Sequence, residues 1–101
     1  MQDRITMKML EARVNTLNIV LGCPAEYYPP YKVDGKWICN PGHFYIGQAY
    51  GGYRLEQLAN KGGGARDISP RGTKRDTWNY VTAMIAGVEA AQNIKVHYAN
   101  D

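Results

Sequence analysis

Two stretches of helical spacing, one toward each end of the chain, enclose residues 22–72, where prolines and glycines recur too often for a helix to persist. That layout leaves room for little except two helices laid against a small sheet. From Thr6 to Leu21, Leu10, Val14, Leu17 and Leu21 recur at helical spacing, and Gly22 followed by Pro24 supplies the stop. Thr6 is placed to cap this helix, and Lys8, Glu11, Arg13, Asn15 and Asn18 fall on its polar side. A second helix is predicted from Thr73 to about residue 92, with Asp76 three residues after Thr73 in a box-like start. Trp78, Val81, Met84 or Ile85, Val88 and Ala91 form its apolar stripe. Ala83, Ala86, Gly87 and Ala90 make another side small enough for a helix or sheet to approach closely, within the chain or across a homo-oligomer. Asn93–Tyr98 then reads as a short edge strand or a tail.

Between the helices, residues 23–31 hold three prolines and read as an extended connection carrying Tyr27, Tyr28 and Tyr31. Asp34-Gly35, flanked by Tyr31–Val33 and Lys36–Cys39, is a two-residue hairpin signal, since both central residues must accept positive φ. Gly51-Gly52 repeats the pattern between His43–Tyr50 and Tyr53–Leu58, extending the hairpin into a meander of three or four strands. Alternation puts Tyr45, Gly47 and Ala49 on one face and Phe44, Ile46, Gln48 and Tyr50 on the other. Tyr53–Ala59 also carries good helix formers, so a helical turn competes with a strand there. The expected architecture is α+β: a single domain over residues 1–101, with the N-terminal and C-terminal helices packed on a small antiparallel meander.

The chemistry of the chain concentrates in residues 61–76, where five Lys or Arg and four glycines meet only two Asp. Lys74 and Arg75 fall in the first turn of the second helix, where the helix dipole makes cations unfavourable by a few tenths of a kcal/mol each unless an anion lies nearby. Glycine amides beside a helix start are the usual cradle for phosphate or carboxylate. The anticipated ligand contacts are Gly62, Gly63, Gly64, Arg66, Arg71, Lys74 and Arg75 for a phosphate, with Tyr50 and Tyr53, or Trp78, for a base. A solvated basic loop would carry the same charges.

Composition narrows the classes further. A chain of 101 residues that is 45% hydrophobic supports one modest core, and a net charge of +3 concentrated in one loop suits a discrete anionic ligand better than a nonspecific coat on nucleic acid. Cys23 and Cys39 lack the spacing of a zinc site. No apolar run approaches a membrane span, and no signal-like segment appears at the start, so reduced thiols and a cytoplasmic location are expected. His43 has no accompanying nucleophile, carboxylate pair or metal motif, and Asp67 beside Arg66 reads as a loop-shaping pair, so no enzyme and no cofactor are expected.

Leu10–Asn18 (LEARVNTLN), Ala49–Leu55 (AYGGYRL), Asn60–Asp67 (NKGGGARD) and Ile85–Ala91 (IAGVEAA) occur in an order that resembles a family of small tailed-phage and prophage proteins over roughly residues 6–91. The family carries no established reaction. The resemblance implies a viral accessory protein acting inside a bacterium, and phage proteins of this size are often antagonists of host defence. Ser69-Pro-Arg-Gly72 departs from the family pattern, so the resemblance assigns no contact between Asp67 and Thr73.

The leading functional expectation is a protein that sequesters a phosphorylated, nucleotide-type signal without altering it. A single-strand nucleic-acid binder would use Phe44, Tyr45, Tyr50 and Tyr53 as stacking surfaces beside the same cations. An inhibitor of a host or defence enzyme would instead present Tyr27, Tyr28 and Tyr31 as an aromatic hot spot.

Overall fold

A computed structural model of the chain describes residues 4–99, with side chains as far as residue 93. The elements run α1 (Met7–Leu21), β1 (Phe44–Ala49), β2 (Gly52–Leu58), β3 (Ala65–Asp67) and α2 (Lys74–Ala99). The strands form one antiparallel sheet in the order β1-β2-β3. Helix α1 packs on β1 and on α2, and α2 packs on β2. The α+β arrangement expected from the sequence is the one observed.

Both ends of α1 close as the residue types dictate. The Thr6 hydroxyl accepts from the Met9 N–H at 3.1 Å, and Gly22 takes the left-handed conformation (φ 69°) that ends the helix. The Gly22 and Cys23 N–H groups donate to the Ile19 and Asn18 carbonyls, satisfying the last turn. Leu10, Val14 and Leu17 are buried as predicted, but the next buried position is Asn18, whereas Leu21 is 40% exposed. Asn18, assigned by polarity to the outer side, is the side chain that fixes α1 to the sheet. Its Oδ1 accepts from the Phe44 N–H at 2.8 Å and its Nδ2 donates to the Phe44 carbonyl at 3.0 Å. The amide supplies the two bonds a neighbouring strand would have made at the open edge of β1.

The core gathers Val14 and Leu17 of α1, Phe44 of β1, Leu55 of β2, and Val81 and Ile85 of α2. Tyr53–Leu58 is a strand, which settles the competition with a helical turn. The β1–β2 turn sits one residue earlier than the glycine pair suggested. Tyr50 (φ 53°) and Gly51 (φ 73°) are its central residues, while Gly52 already pairs with Ala49. Tyr50 therefore leaves the strand and stands 97% exposed at the tip.

Two other expectations change. The Asp34-Gly35 turn forms, with φ of 51° and 74°, but its ladder is a single Val33–Lys36 bridge that does not join the sheet. The third strand comes instead from the basic segment: Ala65–Asp67 pairs with Glu56–Leu58, and residues 68–72 continue along β2 until Gly72 exchanges both backbone bonds with Tyr53. At the break between these stretches the Ser69 hydroxyl accepts from the Leu55 N–H at 2.9 Å.

Helix α2 begins immediately after that bridge and continues through residues 93–98, which form neither a strand nor a tail. Thr77, Val81 and Ile85 are its buried positions; Trp78, Met84 and Val88 are half-buried, and Ala91 is exposed. The Arg13 guanidinium lies 4.2 Å from the centre of the Trp78 ring, across the α1–α2 seam. Ala83, Ala86, Gly87 and Ala90 are exposed, so α1 does not cover the small-residue side.

Replacing Asn18 with Ala strands a buried N–H and a buried carbonyl at Phe44, and should cost about 3 kcal/mol of stability. Urea unfolding of the N18A protein checks this; a loss no larger than that of an exposed control such as Asn15→Ala would contradict the role given to the amide.

Candidate functional site

The start of α2 is built by three local devices. Thr73 caps the helix: the Thr73 N–H donates to Asp76 Oδ2 and the Asp76 N–H donates to the Thr73 hydroxyl, both at 3.0 Å. Thr77, one turn in, donates its hydroxyl proton to the Tyr53 or Thr73 carbonyl, at 3.4 and 3.1 Å, tying the first turn of α2 to β2. Ile5 is buried just before α1 and draws Arg4 to the same end of the molecule. The result is an open cleft of about 520 Å³ lined by Arg4, Ile5, Gly51, Tyr53, Thr73, Lys74 and Arg75. The Lys74 ammonium sits 5.5 Å from the centre of the Tyr53 ring.

Electrostatically, three cationic side chains line this cleft beside the positive end of a helix dipole. The nearby Asp76 carboxylate is committed to the cap. The Thr73 backbone N–H, and then the Thr73 hydroxyl, hold its pKa below the ordinary 3.8. Such a site is chemically suited to an anion with several oxygen acceptors and one flat apolar face.

The structure divides the sequence-predicted contacts. Tyr53, Lys74 and Arg75 come together in the cleft. Tyr50 and Arg71 form a separate pair at the β1–β2 turn: Arg71 donates to the Ala49 carbonyl at 3.1 Å and its guanidinium lies 5.6 Å from the Tyr50 ring centre. Gly62, Gly63 and Gly64 do not open α2; they form the β2–β3 turn, about 17 Å away along β2 at the usual rise per residue. Their amides are already engaged. Asn60 Oδ1 accepts from the Gly62 and Gly64 N–H groups at 2.9 and 3.0 Å, and the Asn60 carbonyl accepts from Gly63 at 3.3 Å. Arg66 is exposed on β3, paired in register with Gln57.

Arg4, Ile5 and Gly51 are the cleft residues that sequence reasoning missed, and Thr73 was read from the sequence only as a helix cap. Gly51 belongs to the shifted turn. Arg4 precedes the first helix, and no local signal announces that Ile5 is buried.

The remaining candidates are held in structural roles. Asp67 pairs with Arg54 at 3.1 Å, not with Arg66, because alternation along β3 sends adjacent side chains to opposite faces. Arg54 also binds Glu56 at 3.1 Å, and Glu56 accepts from the Tyr45 hydroxyl at 2.9 Å. Burial, followed by Glu56, pushes the Tyr45 phenol upward. His43 is buried with its Nδ1 at 2.8 Å from the Pro24 carbonyl, which makes that nitrogen the protonated one. Phe44 belongs to the core and Tyr45 lies against the edge of Tyr27, so neither is an open stacking surface. Among the described residues no group of three His, Cys, Asp or Glu could hold a metal ion, and no helix is long and apolar enough to cross a membrane. No protein-family profile, curated protein or solved structure matches the chain.

The depressed Asp76 value has a definite sign. Because the folded pKa lies below the unfolded one, the cap contributes fully above the ordinary carboxyl range and is lost as pH falls through the folded value. Asp76→Asn should therefore flatten the acid side of the thermal-stability profile below about pH 4, the ordinary carboxyl range, while changing its slope little near neutrality. An acid limb as steep as that of the unmodified protein would contradict the cap assignment.

Proposed function

We propose that the protein binds a small phosphate-bearing molecule of nucleotide type in the cleft at the start of α2, and holds it without chemical change. The observation that carries this reading is the convergence of Arg4, Lys74 and Arg75 with the Tyr53 ring on one cleft beside a helix N-terminus. The cations supply charge-assisted bonds to phosphate oxygens and Tyr53 supplies a face for a base. The cleft lies within the usual range for small-molecule sites. A single-strand binder is less well supported, because Phe44 and Tyr45, two of the rings it would use for stacking, are engaged within the fold.

Taken with the phage-like sequence blocks, the reading is of an accessory protein that sequesters a phosphorylated signal inside a bacterial cell and so blunts a defence response. Sequestration needs no cofactor. A homo-oligomer formed through the Ala83, Ala86, Gly87 and Ala90 side is part of the same proposal, since that small-residue side of α2 stands exposed and open to close approach by a second subunit.

Calorimetric titration with ADP tests the site. Lys74→Glu and Arg75→Glu should each weaken binding about tenfold or more, while Arg66→Glu, at the far end of β2, should leave it unchanged. The nucleotide should be recovered intact when the complex is denatured. Equal losses from Arg66→Glu and Arg75→Glu, or affinity that keeps rising with the length of an oligothymidylate, would overturn the reading.

A further inference from the structure

A second surface lies at the other end of the sheet, on the connection between α1 and β1. Tyr28, Tyr31, Val33 and Trp37 stand 45%, 62%, 41% and 52% exposed within ten residues of chain, an unusual concentration of large apolar side chains for a loop in water. The loop is held in shape from both ends. The Asn40 N–H donates to the Tyr27 carbonyl and its side chain to the Glu26 carbonyl, both at 2.9 Å; the Cys39 N–H donates to Lys61 at 3.1 Å. The Tyr27 ring packs edge-on against Tyr28 and Tyr45, with centres 4.8 and 5.3 Å apart. Tyrosine and tryptophan on a pre-formed backbone lose little freedom on association and are the residues that dominate binding energy at protein interfaces.

Beside them, Pro29, Tyr31, Val33, Ile38 and Pro41 line a depression of about 210 Å³ with Lys61 at its edge, room for one apolar side chain. Lys32 and Lys36 flank the Asp34-Gly35 turn, so the cations around the depression outnumber the acids. We propose that this surface docks an acidic segment of a partner protein, which inserts one apolar anchor into the depression while its carboxylates meet Lys32, Lys36 and Lys61. Base stacking fits less well. Lys32 lies 5.6 Å from the Trp37 ring centre, and Tyr28 is tilted 49° against Trp37 at 5.8 Å, so neither ring is an open flat platform. The triglycine turn gains a role here: with its amides bound to Asn60, it carries Lys61 onto the proline-aromatic loop rather than cradling a phosphate.

The test is selection of a random displayed-peptide library on the intact protein, followed by titration of the best peptide in synthetic form. The selected peptides should share one Leu, Phe or Trp flanked by Asp or Glu. Their binding should fall about tenfold or more in Trp37→Ala and in the double reversal Lys32→Glu, Lys36→Glu, and should be unchanged in Arg75→Glu. If Trp37→Ala melts early, the charge reversal alone decides. Four outcomes would overturn the proposal: no enrichment over bare support; neutral or basic peptides; oligothymidylate binding that Trp37→Ala abolishes; or a dimer in sedimentation that Trp37→Ala dissolves. The third would assign the surface to nucleic acid and the fourth to a second copy of the chain.

Discussion

The side-chain amide of Asn18, bonded to both backbone groups of Phe44, is the contact on which the arrangement of helices and strands depends. A strand edge presents unpaired donors and acceptors that must find partners. Asn18 satisfies the two that Phe44 presents at the outer edge of β1 and in doing so fixes the height of α1 against β1. That placement sets Val14 and Leu17 opposite Phe44, and leaves a gap over Leu55 that Val81 and Ile85 of α2 fill. The side of β2 away from β1 is paired by the chain itself, first by β3 and then by residues 68–72.

That pairing along β2 determines where the cations go. Because Gly72 pairs with Tyr53, α2 has to begin beside the first residues of β2, and Lys74 and Arg75 arrive next to the Tyr53 ring. The electrostatic penalty of two cations in a first helical turn is then localised at a cleft that an anion can enter. Arg66 belongs to the same basic run in sequence, yet the length of β2 separates it from this cleft. One segment thus contributes to two ends of the molecule, with cations at the start of α2 and Lys61 beside the aromatic loop.

Features governed by local chemistry were legible in the sequence: the Thr6 cap and Gly22 stop of α1, the Thr73–Asp76 box, the tight turns, and the α+β order of elements. What escaped was decided by long-range pairing. Asn18 counts as polar in any periodicity, and only a strand edge 26 residues later makes it a buried anchor. Gly51-Gly52 marked the right turn in the wrong register, because Tyr50 accepts positive φ at the tip and Gly52 is kept small by the Arg71 side chain packed against it. The glycine run signalled backbone freedom correctly, but nothing local showed that the Asn60 side chain would use its amides. Of the nine predicted contacts, Tyr53, Lys74 and Arg75 converge because they flank the Tyr53–Gly72 bridge, and Arg4 joins them through the burial of Ile5.

The most direct measurement is the response of backbone amide resonances to titrated ADP. Binding in the α2 cleft predicts shifts concentrated at Gly51, Tyr53 and Thr73–Arg75, with Gly62–Gly64 unmoved because their N–H groups remain on Asn60. Shifts centred on Gly62–Gly64 and Arg66, with the start of α2 silent, would contradict it.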